Sequence, residues 1–161
     1  MLDRIIGWFF PHVRDGAKLD ARDAWEIAVP VDSQAFFRSL PSMAPEGSVL
    51  VLESTTTPKD LRDELLRRSI EPRLKISPGT LLPTPTLFHL ALTQETASWL
   101  ADTLNQRICT HLYVYNGDQL LLAWWDAPDD PIVVSKAVPE GSVAAFCTSL
   151  KTHYRDTSRA A

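Results

Sequence analysis

Asn116-Gly117 stands between two apolar runs, Ile108–Tyr115 and Gln119–Trp125. The dipeptide is a strong hairpin signal, because both central positions of a type I′ turn need positive φ. A hairpin is antiparallel by necessity, so a strictly doubly wound parallel sheet is disfavoured. With Asn116 and Gly117 at the centre, Tyr115 pairs with Asp118, His111 faces Leu122 and Cys109 faces Trp124. Side chains alternate across a strand. One hairpin face then carries Cys109, His111, Tyr113, Tyr115, Leu120, Leu122 and Trp124, and Asp126 continues it. The other carries Thr110, Leu112, Val114, Leu121, Ala123 and Trp125. Both faces are apolar enough to be covered.

The rest of the chain alternates strand and helix signals. Leu2, Ile5, Ile6 and Phe9 fall at helical spacing before Pro11, which predicts a short N-terminal helix with Trp8 and Phe10 off its stripe. Trp25, Ile27, Val29 and Val31 alternate as a strand that Pro30 puts at an edge or ends. Asp32 can cap a helix carrying Phe36, Phe37 and Leu40, stopped by Pro41. Val49–Leu52 suits a strand buried on both faces. Thr57 as cap and Pro58 as first residue open a helix with the stripe Leu61, Leu65, Leu66 and Ile70, ended by Pro72. Asp63–Arg67 and Glu64–Arg68 are i,i+4 pairs along it. Leu74–Ile76 reads as a short strand, and 77–86, with Pro78, Gly79, Pro83 and Pro85, as a loop. Leu87–Thr93 is a strand, and Thr93 caps a helix reaching Ile108. After the hairpin, Ile132–Ser135 is a strand and Pro139 opens a last helix with the stripe Val143, Phe146, Cys147, Leu150 and Tyr154. The tail from Thr157 is expected to fray.

The expected fold class is therefore α+β: a mixed, largely antiparallel sheet of five or six strands with four or five packed helices. It includes a C-terminal hairpin or meander followed by a helix. A chain of 18.0 kDa buries roughly 18,000 of 26,000 Å² on folding, enough for one core without staples. One domain over 1–161 is expected, with a sub-division at the Pro-rich loop 77–86 as the alternative.

Sixteen Lys+Arg against twenty Asp+Glu give a net charge of −4, and the basic residues are scattered and interleaved with acids. That speaks against a nucleic-acid binder, which presents a basic face. No segment reaches the roughly 20 apolar residues of a membrane span. Cys109 and Cys147 lack metal or redox spacing, and two thiols in a self-sufficient core fit a reducing, cytoplasmic compartment.

Candidate sites centre on the hairpin. Tyr113, Tyr115 and Trp124 combine large apolar area with polar tips, as binding surfaces do, although a core face lying under a helix is the first reading of them. Asp126, Asp129 and Asp130 add three acids in a Pro-rich turn, which a basic partner or a cation could use; a solvated turn, where Asp bonds its own backbone and Pro fixes φ, is the preferred reading. His89, on a neighbouring strand, could join His111 and Asp126 as a base with its orienting carboxylate, or as metal ligands. No HExxH, HxH or CxxC spacing accompanies them. Cys109 lies roughly 6.5–7 Å along the strand from His111, too far for a thiolate–imidazolium pair. Ser54–Pro58 leads into a helix N-terminus but lacks the glycines and Lys of a phosphate loop. The expectation is a small, soluble, acidic interaction module that binds another protein, with no cofactor, no metal and no nucleic acid. The alternative is a small enzyme or ligand-binding domain using His89, His111 and Asp126.

Overall fold

A computed structural model describes residues 16–104 and 110–159. The expected N-terminal helix, with Trp8 and Phe10, lies outside the described residues, as does Cys109. The elements run β1 (Ala24–Ile27), α1 (Ser33–Met43), β2 (Val49–Ser54), α2 (Lys59–Arg68), β3 (Thr86–Ala91), α3 (Gln94–Thr103), β4 (His111–Asn116), β5 (Gln119–Trp124), β6 (Ile132–Ser135), α4 (Glu140–Ser149) and β7 (Tyr154–Asp156). A 3-10 turn, Thr157–Arg159, follows. The described chain is α+β, with seven strands in one antiparallel sheet ordered β3-β2-β4-β5-β6-β1-β7 and four α-helices. No helix among the described residues is long and apolar enough to cross a membrane.

Two strand expectations are corrected. Leu74–Ile76 is not a strand; a single parallel bridge joins Ile76 to Ala17. Tyr154 does not extend the last helix, which stops at Ser149. Lys151 takes a positive φ of 52°, reverses the chain, and lets Tyr154–Asp156 pair with β1 as the seventh strand. A lysine in that conformation carries no sequence signal, unlike the glycine usual there.

Local signals account for most of the boundaries. Asp32 caps α1 by accepting from the N–H groups of Gln34 and Ala35, and Thr93 caps α3 through Thr96 N–H. Thr57 does not cap α2, whose N-cap is Pro58 with no side-chain bond. Pro41 lies inside α1 rather than ending it, two residues before the terminus at Met43. Glu64 bonds both Arg67 and Arg68, displacing the expected Asp63–Arg67 pair.

The hairpin register is the largest correction. Asn116 pairs with Gln119, so Gly117 and Asp118 form the two-residue turn. Positive φ falls on Gly117 and not on Asp118, the pattern of a type II′ turn. Asn116 is held in the strand by its Nδ2, which donates to Glu46 O and Ser48 Oγ, both at 3.1 Å. The altered turn moves the register by two residues, which preserves facing. A bulge opposite Val114 and Tyr115 then leaves Leu121 unpaired and adds one more residue. A one-residue change reverses facing. Leu122 and Trp124 therefore leave the Tyr113 face and join Leu112 and Val114, while Ala123 goes the other way.

Among the described residues, the two faces of the sheet are covered differently. Phe36, Leu65, Leu100 and Phe146, one from each helix, pack with Leu50, Phe88, Leu112 and Trp124 in the main core. The opposite face carries Val49, Val51, Tyr113 and Tyr115 and is roofed by irregular chain, through Ala17, Leu19, Ile70, Leu74 and Ile76. β2 lies between the two layers and all six of its residues are buried, as its continuous apolar run requires.

Candidate functional site

The irregular roof brings together the polar groups of the interior. Val49, Val51 and Glu53 point to the roofed face of β2, and Glu53 is 0% exposed. A buried carboxylate is costly unless its oxygens are satisfied. Here Oε1 accepts from Thr80 N–H at 2.8 Å, and Oε2 accepts from Gly79 N–H and the Tyr113 hydroxyl, both at 2.9 Å. Charged acceptors make such bonds short and strong. Glu53 thus pins the loop that follows Ile76 down onto the sheet.

His111 faces Glu53 across the β2–β4 ladder. Its Nδ1 accepts the backbone N–H of Asp126 at 2.8 Å, which places the ring proton on Nε2, 3.9 Å from Glu53 Oε1. The Asp126 carboxylate is 3.9 Å from Nδ1 and does not orient the ring by a hydrogen bond. His111 is buried beneath Gly79.

His89 shares the roofed face but belongs to a different cluster. It pairs with Val51, whereas His111 pairs with Glu53. β2 lies between them, and two strand spacings and two residues along β2 separate the imidazoles, roughly 12 Å from sheet spacings. Arg73 N–H donates to the Tyr115 hydroxyl at 3.1 Å, and that hydroxyl lies 3.2 Å from His89 Nδ1. In the tautomer that gives the hydroxyl proton an acceptor, Tyr115 donates to Nδ1 and the imidazole carries its own proton on Nε2. Burial pushes the His89 pKa below its ordinary value, so the ring is neutral at pH 7. His89 is only 5% exposed, and it forms part of the wall of an open cavity of about 510 Å³. Pro72, Arg73, Leu74, Lys75, Ile76, Pro78 and Leu87 are the other described residues of its wall.

The expected site therefore divides. His89, His111 and Asp126 do not converge, and no group of three or more His, Cys, Asp or Glu among the described residues could hold a metal ion. Tyr113, Tyr115 and Trp124 are 1%, 0% and 3% exposed and lie in the interior. The two tyrosines lie under the roof, and the register shift carries Trp124 into the helical core, where its ring packs tilted against Phe36. Asp126, Asp129 and Asp130 are exposed. Their turn is closed by Asp129 N–H on Asp126 O and by Trp124 Nε1–H on Asp130 O, both at 2.7 Å.

Neither Glu53 nor the groove beside His89 was among the expected sites. Glu53 had a legible signal: it stands at i+4 and i+2 from Val49 and Val51, on one face of a strand buried on both sides. A carboxylate in that register demands donors. The groove had none, since it depends on where the chain after Pro72 crosses the sheet. Comparison with protein-family models, curated proteins and solved structures gives no match.

Proposed function

We propose that this protein is a non-enzymatic binding domain whose recognition site is the groove between β3 and segment 72–78. The observation that carries the reading is the ring nitrogen Nε2 of His89. It has no partner among the described residues, although the residue is 95% buried and lines the cavity. A polar group left open in a largely apolar concavity is the usual mark of a small-molecule site. The candidate acid–base groups argue against catalysis. Glu53 is engaged by three donors, and His111 accepts a backbone N–H and lies under Gly79. An NMR titration of the labelled protein with a set of small organic molecules tests the proposal. Amide shifts confined to 72–78 and 87–89 are expected. No shift there with any compound would sink it.

A second reading, contact with a basic protein, is favoured by the three exposed carboxylates at 126–130 in an acidic chain. Such acids steer association and make it salt-dependent. Its test is whether the double change Asp129→Asn and Asp130→Asn weakens capture of a basic partner more at low salt than at high.

A further inference from the structure

We infer that the groove beside β3 takes a small apolar carboxylate, a ligand class that rests on the binding-site reading above. Three features of the wall converge on it. Leu74, Ile76, Leu87 and Pro78 supply an apolar lining fit for a hydrocarbon body. His89 Nε2 supplies a polar ring atom, held in place because Tyr115 occupies the other ring nitrogen, and it is a donor in the tautomer in which Tyr115 donates to Nδ1. Arg73 brings a guanidinium-bearing side chain to the wall, and none of the described wall residues is Asp or Glu.

The Arg73 backbone is fixed by its N–H bond to Tyr115, the same hydroxyl that orients His89. Donor ring and guanidinium-bearing residue are therefore positioned by one atom. The Arg73 side chain is exposed and has no ion-pair partner among the described residues. A carboxylate can accept from His89 with one oxygen and from the guanidinium with the other, and guanidinium geometry suits that planar acceptor. An ammonium ligand would meet like charge at Arg73. A neutral hydrocarbon would leave the His89 proton without an acceptor. A volume of about 510 Å³ fits a small molecule rather than a folded partner.

Octanoate, octanol and octylamine, titrated separately into the full chain and followed by amide shifts, give the test. Octanoate is expected to perturb 72–78 and 87–89 and to bind at least tenfold more tightly than octanol, with octylamine weakest. Arg73→Gln, an exposed change that leaves the core intact, is expected to weaken octanoate about fivefold and octanol not at all. His89→Phe, checked for an unchanged melting profile, is expected to weaken octanoate about tenfold and leave octanol unchanged or tighter. Equal binding of octanoate and octanol at the groove would overturn the carboxylate assignment while leaving the groove as a binding site. Octanoate affinity unchanged by Arg73→Gln and by His89→Phe would overturn the assignment too. No shift at the groove with any of the three probes would overturn both readings.

Discussion

The Cβ that Gly79 lacks would fall 2.7 Å from the imidazole of His111. The ring cannot yield easily, because its Nδ1 is held by Asp126 N–H and its other side faces buried Glu53. Gly79 is there for close approach, since no unusual φ marks it. In a permissive loop Gly→Ala stabilises by about 0.4–1 kcal/mol through the unfolded chain. Here the sign reverses: Gly79→Ala should destabilise by about 1–3 kcal/mol, as overpacking does. Urea unfolding measures it, and a neutral or stabilising result would mean that the loop does not lie on His111.

Glu53 and Tyr113 make one unit. Tyr113→Phe removes one donor and should cost about 1–2 kcal/mol, leaving Glu53 with the two backbone N–H groups. Glu53→Gln is expected to be worse, about 2–4 kcal/mol. Its NH₂ must confront a donor at one of the two oxygen positions, and the charge that strengthens all three bonds is lost. The double variant should cost less than the sum of the singles, because the two share a bond. Strict additivity in a double-mutant cycle would count against the Tyr113–Glu53 contact.

Elements with short-range causes were legible. Asp32 and Thr93 mark the starts of α1 and α3, and Val49–Leu52 marks the doubly buried β2. The meander β4–β5–β6 followed by α4 was readable from apolar runs and turn residues. What failed depended on distant partners. The hairpin register turned on Asn116 bonding Glu46 and Ser48, nearly seventy residues back in sequence. β7 needed a lysine at positive φ and β1 as its neighbour. The site suffered most from the register, because the Leu121 bulge sent Trp124 into the helical core and left Tyr113 and Tyr115 under the roof.

His89 links stability to pH with a definite sign. Burial lowers its folded pKa below the ordinary 6.5, while the unfolded chain keeps the ordinary value. Above about pH 6.5 the ring is neutral in both states and the group adds no slope. As pH falls below that value the unfolded state takes up the proton first, so folded stability declines until the folded pKa is passed. Wild type minus His89→Gln, measured by denaturant unfolding between pH 7.5 and pH 5 in about half-unit steps, isolates the effect from the other histidines. Stability lost on acidification should be smaller in the variant; parallel curves would show that His89 is not buried as a neutral ring.

Cys147 lies buried on α4, and burial pushes its thiol pKa up to about 11. The thiolate is the reactive form, so little of it exists at pH 7.5. Peptide mapping after brief iodoacetamide treatment should find Cys147 unmodified in the native protein and fully modified in urea. Native modification as fast as that of a free thiol would contradict its place in the core.

Asp126 separates the two roles once open to its side chain. Its φ of 46° lies in the left-handed region, where glycine is at ease and a Cβ is strained. Its backbone N–H, not its carboxylate, bonds His111. Asp126→Gly should therefore keep that bond and leave stability unchanged or raised by a few tenths of a kcal/mol. Asp126→Ala keeps the N–H but not the tolerance for positive φ, and should cost about 1 kcal/mol. If the carboxylate oriented His111 instead, both variants would lose the same interaction and glycine would be the worse for its added chain freedom. The order of the two in thermal unfolding decides between backbone and side chain, and the histidine ring resonances of Asp126→Gly should match the wild type in the first case and move in the second.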